Sequence, residues 1–411
     1  MQQFKLDNGL KVLIQEQPEN RVVTLDMWVN TGSAVEPPEI NGVSHFLEHM
    51  MFKGTKTREP GEIDRAIEAV GGVWNAGTSI EFTHYYLTVG VPFVETGVDV
   101  LSDVIANSVI DPLEAERERQ VILEEYHRQQ DNPPSFLFTR AMKMSFEKSP
   151  NRLPVLGTPE TIKAITPEDL KNYYISQYRP ENMVLVVVGG VRADDILPLL
   201  KDTFGKMDRP YRPLLKADGE TVRNKGVTQE FQKPVKETYL LMNFPAPDME
   251  NPKDVYTADI VSYIIGEGRS SRLYREVKEE KDMVSMITAS YPTHKRDALF
   301  SVFATLEYEK KDDVIEAVYE IMRNLIEDKV SRDELDKAKR MLSSHYAFEH
   351  ETTSGRASEI GFYYNLTGDT EFEKNYLKNI NQVTREDIID YMGRYMKPEN
   401  ANIFIVKPEE S

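Results

Sequence analysis

ITPEDLKNYYISQYRPEN, residues 165–182, has a counterpart near the other end of the chain: VTREDIIDYMGRYMKPEN, residues 383–400. The two align without a gap. Thr166 falls on Thr384, Tyr173 on Tyr391, and Pro180-Glu181-Asn182 on Pro398-Glu399-Asn400. Each opens with a Thr suited to cap a helix, closes with a Pro turn, and runs into a strand-like segment, MVLVVVGG or ANIFIVKP. A segment repeated at the end of each half marks a duplication. At 411 residues the chain also exceeds what one hydrophobic core usually organises, which fits two domains of roughly 200 residues.

Within each half, strand-like runs (TLDMWVNTG and THYYLTVGV, then TYLLMNFPA and ALFSVFATLEY) alternate with long amphipathic helical patterns such as DDVIEAVYEIMRNLIEDKV, residues 312–330. The expectation is a pair of duplicated α+β domains, each with helices packed on a sheet. The stretch GKMDRPYRPLLKADGETVRNKGVTQE is rich in Pro, Gly and charge and has no sustained period. It places an N-terminal domain at 1–208, a linker at 209–229 and a C-terminal domain at 230–411.

The net charge of −18, from 50 Lys and Arg against 68 Asp and Glu, disfavours nucleic acid and anionic membranes as partners and attracts cationic peptides. There are no cysteines, so a metal would be held by His and carboxylate. The opening MQQFKLDNGLKVLIQEQ lacks the features of a signal peptide, and no apolar run is long enough to span a bilayer. A cytoplasmic protein is expected, a trimmed leader being the alternative.

SHFLEHMMFKGT, residues 44–55, places two of the seven histidines four residues apart. On a helix, Val43, Phe46, Leu47, Met50 and Met51 share an apolar arc, while His45, Glu48 and His49 lie within about 100° of one another on the other side. Asn41 is the expected N-cap and Gly54 the expected stop. Two histidines one turn apart can share one Zn²⁺, with a carboxylate beside them to take a proton from water; H-x-x-E-H is the inverted order of a zinc-peptidase signature.

A catalytic zinc needs a third protein ligand. DPLEAERERQVILEEYHRQQDNPP, from Asp111, reads as a helix capped by Asp111, started by Pro112 and ended by Pro133-Pro134. Glu118 and Glu125 stand two turns apart on one face, and Glu125 is the better ligand candidate because it shares the side of Val121 and Ile122. Glu118 is a supporting carboxylate that could orient a ligand.

At these residues the chain resembles the pitrilysin/insulysin group of inverted-motif zinc metallopeptidases, and most of all its short bacterial members and the β subunit of the mitochondrial processing peptidase. GVSHFLEHMMFKGT carries the likeness, together with LDNGLKVLIQE, GGVWNAGTSIEFTHYYLTV, YRPENMVLVVVGG and IGEGRSSRLYREV. The resemblance implies mostly antiparallel sheets with helices on one face, in a clamshell of two such domains. It implies one zinc per chain on His45, His49 and Glu125, Glu48 as general base, and Glu118 as second acid. It also implies a sheet edge at WNAGTSIEFT to which a peptide substrate adds as a strand, with Asn75 and Ala76 near the scissile bond.

Many members of that group carry an Arg and, seven residues later, a Tyr that help bind the substrate carbonyl. Here Lys278 and Ser285 occupy those places, in VKEEKDMVS. Lys brings one point charge and Ser no phenol. The expectation is a zinc endopeptidase that is the metal-bearing subunit of a heterodimer whose partner supplies the Arg/Tyr pair, a homodimer being the alternative. The rival reading is a non-catalytic core subunit of a larger complex.

Overall fold

The computed structural model describes residues 1–217, 219–327 and 330–409. The chain forms two compact units, the first from Met1–His127, Leu153–Asp218 and Phe348–Glu373, the second from Arg128–Arg152, Gly219–Ala347 and Lys374–Ser411.

The first unit is built on β1 (Gln2–Lys5), β2 (Lys11–Glu16), β3 (Val22–Val29), β4 (Val73–Thr78), β5 (Thr83–Gly90) and β6 (Met183–Gly189), in spatial order β1-β2-β6-β3-β5-β4. Only the β2-β6 pair is parallel. The unbroken apolar run of β6 is buried along its whole length, as a strand covered on both faces requires.

The second unit contains β7 (Thr228–Lys233), β8 (Thr238–Pro245), β9 (Val284–Ser290), β10 (Leu299–Leu306) and β11 (Asn402–Pro408), in order β9-β10-β8-β11-β7. Its one parallel pair is β7-β11. This order and these directions repeat β4-β5-β3-β6-β2 strand for strand. The aligned sequence segments repeat in detail as well: Thr166 and Thr384 each close a capping box, with Asp169 and Asp387.

The expected linker is not bare. Val222–Arg223 pairs as a short strand with Phe146–Lys148, and β7 begins at Thr228. Asp218 of that linker, residues 328 and 329 of the amphipathic pattern, and residues 410 and 411 lie outside the described residues. Residues 312–326 of the pattern lie in a helix, Lys311–Ile326.

Neither unit is continuous in sequence, because each sheet takes a helix from the far half of the chain. One face of the first sheet carries the main core, with the helices α1 (Val43–Met51) and α2 (Pro112–Asp131) contributing to it. The other face is covered by α3 (Thr353–Thr367), whose Ala357, Ile360 and Tyr364 pack on Leu13, Trp28, Val184, Val186 and Val188. Helices therefore lie on both faces of this sheet, not one. Gly361 sits against the Trp28 indole, where any side chain would collide. In the second unit, the Pro133–Ser145 helix brings Leu137 and Ala141 onto Leu241, Phe303, Phe404 and Val406. A single boundary at 209–229 therefore does not separate the units, because segments 128–152 and 348–373 belong to the opposite ones.

A polar cluster pins α3. Arg356 donates from Nε to Gln15 of β2 at 2.9 Å and from Nη1 to Glu373 at 2.5 Å, and His350 meets Glu359 beside it. Burial pushes Glu359 up to about 8, and burial with the nearby Arg356 pushes His350 down to about 4. Both are neutral between those values. Glu359 holds its proton in the folded chain after the unfolded chain has lost it, so its stabilising contribution falls as pH rises from about 4.5 through about 8. His350 acts in the opposite sense, its contribution falling as pH drops from about 6.5 through about 4. Wild type should lose Tm relative to Glu359→Gln between pH 5 and 8.5; parallel Tm profiles for the two proteins would contradict this protonation state.

Candidate metal centre

α1 forms as the spacing predicts. Val43, Phe46, Leu47, Met50 and Met51 are fully buried, and the opposite side presents His45, Glu48 and His49. Its N-cap is Gly42, at φ 96°, not Asn41. The reason is a carboxylate brought in from upstream. Glu36, only 5% exposed, accepts from Gly42 N–H at 2.7 Å, from Ser44 N–H at 2.8 Å and from Asn41 Nδ2 at 2.7 Å. An anion there satisfies orphan amides and complements the helix dipole. Burial pushes the Glu36 carboxyl up, against the lowering effect of these donors. Ser44 is tied further to Tyr173, whose hydroxyl also meets Thr31.

α2 is capped by Asp111, which accepts from Leu113 N–H at 2.8 Å and Glu114 N–H at 3.0 Å. It ends at Asp131. Pro133 starts a new helix capped by Asn132, so the Pro pair marks a junction as well as an end. α2 brings Glu125 Oε2 to 3.6 Å from His45 Nε2 and 3.5 Å from His49 Nε2. Donors bound to a tetrahedral ion at about 2.0–2.1 Å are about 3.4 Å apart, so these separations suit three ligands of one Zn²⁺. His45 Nδ1 is buried without a hydrogen-bond partner, leaving Nε2 as the nitrogen that faces a carboxylate. Burial, then His49, push His45 down to about 4, the direction that favours the neutral ring a metal requires. For His49, burial is overcome by Glu125 and Glu118, which push it up.

Glu118, the expected supporting carboxylate, lies against His49. Its Oε2 lies 3.1 Å from His49 Nδ1, an arrangement that fixes the ring and leaves Nε2 for a metal, and its Oε1 lies 2.6 Å from Lys53 Nζ. Glu48 accepts from Thr78 Oγ1 at 2.5 Å, and burial pushes its carboxyl up against the effect of that bond. Thr78 belongs to β4, the edge strand that carries Asn75 and Ala76. Ala76 packs on the main core beside α1, whereas Asn75 is exposed.

Lys278 and Ser285 adjoin each other in the second unit, but Lys278 Nζ is bonded to the Ser285 carbonyl at 2.6 Å and Ser285 Oγ to Glu237 at 2.9 Å. One other group among the described residues, His350, Glu359 and Glu373, gathers comparable donors. Arg356 Nη1 stands 3.0 Å from His350 Nε2 there, so the cluster already holds a cation of the chain itself.

A motif helix with a distal glutamate, in the first of two like units, defines an insulinase-type architecture, and family models match both halves. Insulinase (Peptidase family M16) matches residues 11–159 and Peptidase M16 inactive domain matches 164–342. The chain belongs to peptidase family M16. Similar proteins include an uncharacterized zinc protease of Bacillus subtilis, 26% identical over 99% of this chain and 98% of that one, and an uncharacterized zinc protease of Rickettsia felis, 28% identical over 94% and 92%. Among solved structures, a protease from Helicobacter pylori has the same fold, with a TM-score of 0.93 at 22% identity over 99% of each chain.

Sequence reasoning missed Glu36, Thr78 and Lys53. Lys53 lies inside the motif stretch and Glu36 eight residues before Ser44, but a Glu before two prolines carries no mark of burial. Glu118→Gln should weaken Zn²⁺ binding about 10- to 100-fold, read by competition with a chelating dye. Unchanged affinity would remove Glu118 from the centre.

Proposed function

We propose that this chain is a zinc-dependent endopeptidase acting on peptides or unfolded polypeptides, with one zinc per chain on His45, His49 and Glu125. What carries the reading is the meeting of Glu125 Oε2 with both imidazoles while Glu48 stands beside them on the same helix. The bound ion would supply Lewis acidity toward water and the scissile carbonyl. Glu48 takes the proton of the attacking water and passes it to the departing amine; burial, which pushes its carboxyl up, suits it to both roles. Thr78 holds Glu48, and Glu118, held by Lys53, orients His49. The open edge of β4 receives the peptide as an added strand at Asn75 and Ala76, which favours extended substrates of varied sequence. Among the described residues no helix is long and apolar enough to cross a membrane; the reading takes the peptides to be those of the cytoplasm.

The chain acts in this reading as one subunit of a dimer like that of a processing peptidase. Lys278 and Ser285, satisfied by their own neighbours, support it: neither offers the donors of an Arg/Tyr pair, which a homologous partner would bring. A non-catalytic core subunit is the rival, and the intact set of His45, Glu48, His49 and Glu125 weighs against it. Glu48→Gln should keep its zinc and lose peptide hydrolysis by at least about 10²-fold, in the mixture with a homologue carrying Arg and Tyr as in isolation. Full turnover by Glu48→Gln would sink the assignment, and full activity of the wild-type chain alone would remove the partner.

A further inference from the structure

Pairing along the β4-β5 hairpin decides which main-chain groups of β4 stand at the open edge. Ser79 N–H donates to the Phe82 carbonyl at 2.7 Å, and the pairing continues through Thr78 with Thr83, Gly77 with His84, Ala76 with Tyr85 and Asn75 with Tyr86. Antiparallel pairs alternate between hydrogen-bonded and non-hydrogen-bonded. Gly77 and Asn75 therefore turn their N–H and C=O toward β5, and Trp74, Ala76 and Thr78 turn theirs outward. β4 is the terminal strand of its sheet, so these outward groups meet no further strand among the described residues.

The Ala76 N–H is nevertheless met. Asn75 Oδ1 accepts from it at 2.8 Å. Successive side chains of a strand leave on opposite faces, so the exposed Asn75 side chain bends around the edge to reach that amide. Its oxygen thus takes the Ala76 N–H, the donor that the carbonyl of an added strand would need. An amide oxygen of Asn and a peptide carbonyl are the same kind of acceptor, so one can replace the other with little net change. An open edge beside Val73, 66% exposed, is also prone to indiscriminate pairing unless its groups are blunted.

We infer that Asn75 is a placeholder: it caps the Ala76 amide in the free protein and has to rotate away before an extended peptide pairs there. Asn75 then governs how readily the edge takes a strand, as a positioning residue that competes with the substrate. The inference rests on the strand-addition reading above and separates from it in sign, since a residue that only grips the peptide weakens binding when removed, whereas a placeholder strengthens it.

The test uses the full chain, zinc-loaded and carrying Glu48→Gln to block turnover, with a fluorescently labelled, uncharged, unstructured decapeptide followed by anisotropy. Adding Asn75→Ala should tighten peptide binding about two- to fivefold, the scale of one neutral hydrogen bond. Asn75→Asp, whose carboxylate is the stronger acceptor, should weaken it. Without peptide, hydrogen–deuterium exchange over residues 73–78 should be faster in Asn75→Ala than in the parent. Equal or weaker binding by Asn75→Ala, or equal exchange, overturns the placeholder and leaves strand addition standing. If the parent, alone and mixed with a homologue carrying Arg and Tyr, fails to bind any of a panel of such peptides, strand addition itself falls and the placeholder with it.

Discussion

A buried carboxylate against the first turn of a short helix sets the pose of the whole centre. α1 has nine residues, too few to be stable by itself. Its apolar arc holds it to the core, yet such contacts alone tolerate sliding and rotation. Glu36 removes that freedom by taking the Gly42 and Ser44 amides together, and Gly42 fits because a Cβ there would press on the Leu156 carbonyl at 2.8 Å. His45, Glu48 and His49 follow from this pose, and Glu125 completes it from α2.

Duplication provided two like sheets with helices, and the proposed metal chemistry belongs to the first. A helix of the second unit, Pro252–Ile265, also sets half-buried positions among buried ones, at residues 259, 262 and 263. Asp259, Ser262 and Tyr263 stand there at the i, i+3, i+4 spacing that His45, Glu48 and His49 have in α1. Asp259 is bonded to Tyr376 at 2.7 Å and pushed up to about 7 by burial, and Tyr263 is bonded to His345 at 2.7 Å. That helix thus presents an Asp, a Ser and a Tyr at this spacing and not a His-x-x-Glu-His set.

The apolar arc of α1, the Asp111 cap and the paired Thr166 and Thr384 caps were legible because each is a local pattern that helix geometry repeats. Glu118 and Glu125 were legible as one helix face. The exchange of 128–152 and 348–373 was not, since amphipathic spacing says that a face is buried without saying which sheet buries it. Glu36 was hidden for a related reason: its partners are backbone amides, which leave no trace in composition. Asn41 looked like a cap and is instead a donor to the true capping carboxylate.

The central claim is that His45, His49 and Glu125 hold one zinc. X-ray absorption at the zinc edge, on protein purified without added metal, tests it most directly. The account predicts about one zinc per chain, with two imidazole nitrogens and oxygen donors at about 2.0–2.1 Å. A chain without zinc, or a first shell lacking the imidazole signature, would contradict it.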